Sequence, residues 1–206
     1  MPDFWIPSGV GISEFTEKKS RFLGEALGVT SPAEAKARVK ALKEEHPRSR
    51  HVAWAFVLGK DGALHGLSDD GEPHGTAGKP ILDPIVGAQL TNTLVTVVRY
   101  FGGVKLGTGG LVSAYGKSCQ DALATLERIP LIERQGLRLY TDYAHYEVLR
   151  RGLDERGAVD VKEEFTADVF MESALPLTAI EEFEVFVADA TCGTARLEWM
   201  SGEASA

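Results

Sequence analysis

The order of hydrophobic patterns after residue 136 constrains the fold of this chain more than any other feature of its sequence. Period-two and helical spacings predict, in chain order, a strand over 137–142, a helix over 145–156, strands over 159–165 and 168–174, a helix over 177–189 and a strand over 194–200. This βαββαβ order is the signature of a ferredoxin-like sandwich. We therefore predict a C-terminal ferredoxin-like domain over residues 137–206.

The first part of the chain shows a different order of elements. Its patterns predict, in turn, a hairpin over 12–29, a helix that begins after Ser31, strands over 52–58 and 63–67, a short helix over 81–90, a buried strand over 93–98 and a long helix from Leu111. These elements predict an α+β domain over residues 1–130, with residues 129–136 as the linker.

The charge distribution supports two domains with different surfaces. Residues up to Pro130 include 15 basic and 14 acidic side chains, a net charge of +1, whereas the rest has 7 basic and 16 acidic side chains, a net charge of −9. Nonspecific nucleic-acid binding requires clustered Lys and Arg, so the acidic part is a poor candidate for it. Because the first part is almost neutral overall, an anion-binding site there must depend on a few basic residues that lie close together.

The same sequence argues against a membrane or secreted protein. No apolar run approaches the roughly 20 residues of a membrane span, and the N-terminus lacks a signal-peptide pattern. Cys119 and Cys192 lie far apart, as expected for reduced thiols rather than a disulfide or zinc framework. We expect a cytoplasmic protein.

Two loops carry the residues most suited to chemistry. The acidic loop, Ser68–Pro80, is polar and rich in glycine, and we expect it to be exposed. Its candidate binding residues are Asp69, Asp70, Glu72, Thr76 and Lys79. Carboxylates and an imidazole could ligate a divalent ion, but the same residue types also form turns and helix caps, and their spacing matches no metal template.

The glycine loop, Arg99–Gly110, lies between a buried strand and a helix. Glycines allow backbone N–H groups to approach a phosphate, cations add charge, and aromatic rings can stack on a base. Its candidate binding residues are Arg99, Tyr100, Phe101, Gly102, Gly103, Lys105, Gly107, Thr108, Gly109 and Gly110. The alternative is that the glycines only permit a tight strand-to-helix connection. Neither the P-loop nor the G-x-G-x-x-G fingerprint is present.

These two loops resemble the signature sequences of the IMPACT/YigZ family. The similar segments are 68–73, 75–82 and 99–112, together with the shorter blocks 19–22, 50–51 and 54–55. His74 departs from the pattern, since the family usually has a small residue at this position. The resemblance covers nearly the whole chain, because bacterial members also have an additional C-terminal domain.

The resemblance implies a fold for each domain and a role in translation. The N-terminal domain should resemble the second domain of ribosomal protein S5, and the C-terminal domain the terminal ferredoxin-like domain of elongation factor G. Eukaryotic relatives regulate translation by competing with a starvation-sensing kinase for its ribosome-associated activator. We expect no counterpart of their additional N-terminal domain in this chain, so their partner cannot be assumed for it.

We expect a translation-linked regulatory protein that binds the ribosome, RNA or a translation-associated protein through the two loops, without a cofactor or a bound metal. Catalysis is not expected, and no catalytic residue is assigned. One alternative is a metal-dependent hydrolase centred on Asp69, Asp70, Glu72 and His51. A second alternative is a protein–protein adaptor that docks partners on its acidic C-terminal domain.

Overall fold

The computed structural model describes residues 4–200. Contacts within the chain separate two units, Met1–Leu131 and Ile132–Ala206. Both units combine helices with antiparallel sheets, which confirms the predicted α+β class. No helix in the described part of the chain has the length and apolar character needed to cross a membrane.

The first unit is built on a five-stranded antiparallel sheet. Its elements are β1 (Trp5–Pro7), β2 (Val10–Glu17), β3 (Ser20–Gly28), α1 (Pro32–Glu45), β4 (His51–Leu58), β5 (Leu64–Ser68), α2 (Gly78–Gly87), β6 (Thr93–Tyr100), α3 (Gly107–Thr125) and β7 (Arg128–Pro130). The strand order is β2-β3-β6-β4-β5, and β1 pairs with β7 in a separate two-stranded sheet. The central strand β6 is buried along almost its whole length, as its β-branched sequence predicts.

Helices cover both faces of the five-stranded sheet. Side chains alternate along a strand, so Ala53 and Ala55 of β4 pack in the cluster that holds α2 and α3. Val52 faces the other way and packs with Val39 and Leu42 of α1. Successive side chains of β4 and of β6 therefore face α2 and α3 on one side of the sheet and α1 on the other.

Helix α1 begins at the residue that its capping sequence predicts. The Ser31 hydroxyl accepts a hydrogen bond from Glu34 N at 3.2 Å, and Pro32 occupies the first helical position. The Glu34 carboxylate does not close a capping box on Ser31. It accepts instead from Thr30 N at 2.7 Å, one residue earlier in the chain.

The second unit has the ferredoxin-like arrangement. Its elements are β8 (Arg134–Thr141), α4 (Tyr143–Glu155), β9 (Val159–Phe165), β10 (Val169–Pro176), a 3₁₀ turn (Leu177–Ala179), α5 (Ile180–Thr191) and β11 (Arg196–Trp199). The strand order is β11-β8-β10-β9, with all pairs antiparallel. The core joins both helices to one face of this sheet, with Leu139 and Met171 from the strands and Leu153 and Phe183 from the helices.

Several element boundaries differ from the predictions. Helix α2 begins at residue 78 rather than 81, and α3 begins at residue 107, so the ends of both loops are helical. The acidic loop is also less exposed than expected, because Glu72, Thr76 and Ala77 are buried. The expected linker, residues 129–136, contains the end of β7 and the beginning of β8.

Candidate functional site

The site is built on a row of three side chains across the central strands. In the register of the sheet, Arg99 of β6 lies opposite both Phe22 of β3 and His51 of β4. Because side chains alternate along β6, Arg99 lies on the same face as Val95 and Val97, whose side chains pack against α2 and α3. The row therefore lies at the end of the sheet on the face that these two helices cover.

A buried ion pair links the two loops. Arg99 Nη1 donates to Glu72 Oε1 at 2.5 Å, and the two side chains are 6% and 4% exposed. The hydroxyl of Tyr115, on α3, donates to the same carboxylate oxygen at 2.8 Å. Burial, reinforced by the charge of Glu72, raises the pKa of Tyr115 well above its ordinary value, so this hydroxyl remains a donor.

Aromatic rings hold the Arg99 guanidinium in place. Its central carbon lies 5.6 Å from the centroid of the Phe22 ring and 5.5 Å from that of Phe101. Nη2 donates to the Ser20 hydroxyl at 3.3 Å, whereas the buried Nε has no hydrogen-bond partner among the described residues. These contacts hold Arg99 in place, although its Nε–H has no partner among the described residues.

His51 has a defined tautomer. Its Nδ1 lies 2.6 Å from the carbonyl oxygen of Asp70, and a carbonyl only accepts, so Nδ1 carries a proton. The other ring nitrogen, Nε2, lies 3.8 Å from Glu72 Oε1. His51 thus presents Nε2 toward the side of the site where Glu72 and Arg99 meet.

The N-terminus of α3 has no side-chain cap. Its N-cap residue is Leu106, and the first turn contains no acidic residue. The first N–H groups of any α-helix lack partners within the helix and carry partial positive charge. The beginning of α3 is therefore suited to an anion.

These parts surround a cleft of about 450 Å³. The residues that line it are Arg50, His51, Glu72, Pro73, Arg99, Phe101, Lys105, Leu106, Gly107, Thr108 and Leu111. Glu72 is neutralised by Arg99, whereas Arg50 and Lys105 form no ion pair within the described part of the chain. The cleft thus has a surplus of positive charge beside a helix N-terminus, and both loops contribute to it.

The first two carboxylates of the acidic loop hold the backbone in place. Asp69 accepts hydrogen bonds from the N–H groups of Gly75, Ala77 and Gly78 at 2.8, 3.0 and 2.8 Å. Burial acts to raise the pKa of Asp69, but these donors, aided by the nearby His74, outweigh it and hold the pKa below its ordinary value. Asp69 thereby fixes the start of α2.

Asp70 has a similar structural role. Its carboxylate accepts from Val52 N at 2.8 Å and pairs with Lys43 Nζ at 2.5 Å. The residue has a φ of 45°, in the left-handed region that Asp tolerates better than most residues do. Asp70 thus connects the acidic loop to β4 and α1, and its backbone carbonyl orients His51.

Like Asp69 and Asp70, three further predicted binding residues, Thr76, Lys79 and Tyr100, do not line the cleft. The Thr76 hydroxyl donates to the carbonyl of Pro73 at 2.6 Å, and Lys79 pairs with Asp83 within α2. Tyr100 follows Arg99 on the strand and so faces the opposite side of the sheet, where its hydroxyl contacts His46 Nδ1 at 2.8 Å. Strand alternation therefore separates Tyr100 from Arg99, although the sequence places them side by side.

The glycines of the glycine loop have different roles. A Cβ on Gly102 would lie 2.0 Å from the backbone of Lys19, so only glycine allows this close approach. Gly103 and Gly107 have φ values of 84° and 75°, which favour glycine. Gly109 faces open space, and Gly107 alone of these glycines lines the cleft.

Sequence reasoning missed several contributors. Tyr115 lies in the predicted long helix and Ser20 in the predicted hairpin, and neither was among the predicted binding residues. Arg50 was noted only for its resemblance to a family block, although it precedes His51 at the start of β4. One pattern in the sequence did indicate the position of His51. His51, Ala53 and Ala55 are two residues apart, so their side chains lie on the same face of β4, the face that α2 and α3 cover.

The described residues contain no group of three or more His, Cys, Asp or Glu side chains placed to hold a metal ion. The three carboxylates proposed as ligands instead have separate protein partners. Asp69 binds backbone N–H groups, Asp70 binds Lys43 and β4, and Glu72 binds Arg99 and Tyr115. This arrangement does not fit a metal ion held jointly by these three carboxylates.

Comparison with known proteins decides the family. The model of the Impact N-terminal domain matches residues 18–123. The chain is 37% identical over 199 residues to the IMPACT family member YigZ of Escherichia coli strain K12, covering 94% of this chain and 96% of that protein. An IMPACT family member of Haemophilus influenzae is 36% identical over 195 residues, covering 94% and 95% of the two chains. The chain belongs to the IMPACT family.

Family membership confirms the resemblance inferred from the two loops. A crystal structure of a hypothetical protein matches 98% of this chain and 100% of its own length, with a TM-score of 0.68 and 34% sequence identity. The two-domain translational regulator Yih1 matches 58% of this chain at 26% identity, with a TM-score of 0.39, which is too low to support a structural comparison. Both units of this IMPACT family member thus lie within the matched length of the hypothetical protein.

Proposed function

We propose that this IMPACT family member is a translation-linked regulatory protein that binds ribosomal or other RNA at the cleft between the acidic and glycine loops. One observation carries the proposal: Arg50, Lys105 and the uncapped N-terminus of α3 meet at one cleft. The role of eukaryotic relatives in translation supports the choice of RNA among possible anions. The same role supports a cytoplasmic location.

The cleft offers a phosphate two kinds of donor. The first N–H groups of α3, at Gly107, Thr108 and Gly109, have fixed directions and need no side-chain ordering on binding. Arg50 and Lys105 supply charge from exposed side chains, which can adjust to a flexible strand. A backbone phosphate of RNA therefore fits the beginning of α3.

Phe101 provides a platform for a base. Its ring is 47% exposed, and one of its contacts is the guanidinium of Arg99. Stacking on an aromatic ring favours single-stranded nucleic acid without requiring a particular base. A phosphate at α3 and a base on Phe101 would together occupy the apolar and the charged parts of the cleft.

The buried Glu72–Arg99 pair prepares the cleft rather than binding the RNA directly. Because Arg99 neutralises Glu72, the carboxylate does not repel a phosphate at the helix end. Tyr115 ties the pair to α3, and His51 is oriented by Asp70. The RNA therefore meets a rigid surface whose mobile charges are Arg50 and Lys105.

A filter-binding titration with ribosomal RNA fragments and intact ribosomes, at several salt concentrations, tests the proposal. The wild-type chain should bind saturably, with an affinity that falls as salt rises. Lys105→Gln and Arg50→Gln should each weaken binding roughly fivefold near 0.1 M salt and reduce the slope of log affinity against log salt by roughly 0.7 to 1.

Lys36→Gln is the matched control. Lys36 is an exposed lysine on α1, which packs on the other face of the sheet, and its replacement removes the same charge. This variant should bind as the wild type does. Absence of saturable binding to either ligand, or equal losses in the Lys36 and Lys105 variants, would exclude this cleft as the RNA site.

A further inference from the structure

The second unit presents an aromatic pair on the face of its sheet that its helices leave uncovered. Tyr140 of β8 lies opposite Phe170 of β10, and their ring centroids are 5.1 Å apart. Leu139 and Met171, the adjacent residues, point into the core beneath α4 and α5. Alternation along both strands therefore places the two rings on the opposite face, on the two central strands near one end of the four-stranded sheet.

A shallow pocket of about 390 Å³ adjoins these rings. It is lined by Tyr140, Glu164, Thr166, Asp168, Val169 and Phe170. Glu164 and Asp168 are exposed, and their carboxylates have no ion-pair partner in the part of the chain that the structure describes. The pocket thus combines two aromatic rings with two unpaired negative charges.

We infer that this pocket binds an arginine side chain from a basic segment of a partner protein. A guanidinium is attracted by the face of an aromatic ring and by carboxylates, and its planar shape suits stacking. The chain itself shows this contact, because the guanidinium carbon of Arg196 lies 4.3 Å from the centroid of the Tyr140 ring. Arg196 also pairs with Glu198 at 3.2 Å, so a ring and a carboxylate already share one guanidinium on this face.

The net negative charge of the second unit favours a basic protein segment over nucleic acid as its ligand. Residues from 132 onward include 16 acidic and 7 basic side chains, so this unit repels phosphates and attracts cations. Paired aromatic residues on the central strands of a four-stranded sheet also stack bases in some RNA-binding domains. Here, however, Glu164 and Asp168 line the same pocket as the rings, and their negative charges oppose a phosphate. This inference does not depend on RNA binding at the cleft of the first unit.

Fluorescence anisotropy with the full chain and short labelled peptides tests the inference. The probes are a peptide of alternating glycine and arginine, the same peptide with citrulline in place of arginine, and single-stranded oligouridylate. The arginine peptide should bind saturably, and the neutral citrulline peptide should bind at least roughly fivefold more weakly. Binding of oligouridylate that is lost on substitution of Tyr140, without binding of the arginine peptide, would overturn the inference in favour of RNA.

Two variants and a control locate the binding site. Tyr140→Leu should weaken binding of the arginine peptide roughly fivefold, as should the double variant Glu164→Gln/Asp168→Asn. Glu147→Gln/Glu155→Gln removes the same charge from α4, on the other side of the sheet, and should leave the affinity unchanged. If Tyr140→Leu fails to fold, the affinity of Glu164→Gln/Asp168→Asn for the arginine peptide tests the inference. Equal losses in the two double variants, or no binding by the wild type, would overturn the inference.

Discussion

In the acidic loop, the carboxylates have protein partners, whereas the glycine loop leaves a lysine and a helix N-terminus facing a cleft. Asp69 holds the start of α2, Asp70 ties the loop to β4, and Glu72 pairs with Arg99. Lys105 and the first turn of α3 have no such partners among residues 4–200. The difference teaches that polar content alone does not mark a binding site. Donors and charges that the fold leaves without partners are the better candidates for binding a ligand.

The largest expected effect comes from breaking the link between the two loops. Glu72→Ala leaves Arg99 buried without its counter-charge, which should lower the free energy of unfolding by about 3–5 kcal/mol. Urea denaturation measures this loss. Glu14→Ala breaks the exposed Glu14–Arg21 pair and should cost far less. Similar losses in the two variants would show that the buried pair is not structural.

The next largest effect is expected at a glycine in close contact with neighbouring backbone, compared with a glycine that faces open space. Gly102→Ala places a methyl group against the backbone of Lys19 and should lower the free energy of unfolding by about 1–3 kcal/mol. Gly109→Ala adds a methyl group in open space on α3 and should be neutral or slightly stabilising. Thermal denaturation of both variants checks this. A neutral Gly102→Ala would contradict the close packing of the two turns.

A smaller effect tests whether Asp69 serves the fold. Asp69→Asn weakens three hydrogen bonds to backbone N–H groups, and the free energy of unfolding at pH 7 should fall by about 1–2 kcal/mol. The folded-state pKa of Asp69 is depressed, so its contribution is complete above the ordinary value of about 3.9. It is lost as the pH falls through the lower folded-state pKa.

Urea denaturation of the wild type and Asp69→Asn between pH 7 and pH 2.5 follows that contribution. The stability difference should stay constant down to about pH 4 and then narrow toward acid pH. A stability difference between the wild type and Asp69→Asn that widens as the pH falls would contradict this structural role of Asp69. RNA binding by Asp69→Asn at pH 7 should equal that of the wild type, because Asp69 does not line the cleft.

The fold was more predictable from the sequence than the site was. The period-two patterns and the Ser31 cap identified strands and helices directly, because they record which face of each element is buried. The start of α2 was placed three residues late, because its cap is Asp69, nine residues before Gly78 in the chain. Contacts at such separations leave no local pattern.

For the site, the sequence identified both loops but not the roles of their residues. Arg99, Phe101 and Lys105 do line the cleft, and so does Glu72. Tyr100 does not, because strand alternation sends it to the opposite face. Tyr115 was not recognised as the partner of Glu72, because its contact with residue 72 depends on how α3 crosses the sheet.

The central claim is that RNA binds in the cleft at the beginning of α3, and that Asp69 and the backbone amides it holds take no part in binding. Amide chemical shifts of the ¹⁵N-labelled full chain, followed while single-stranded oligouridylate is added, test it most directly. The amides of Gly107, Thr108 and Gly109 should shift saturably with one shared affinity, while those of Gly75 and Gly78, which donate to Asp69, should stay in place. Saturable shifts at Gly75 and Gly78 with none at the start of α3 would contradict the account.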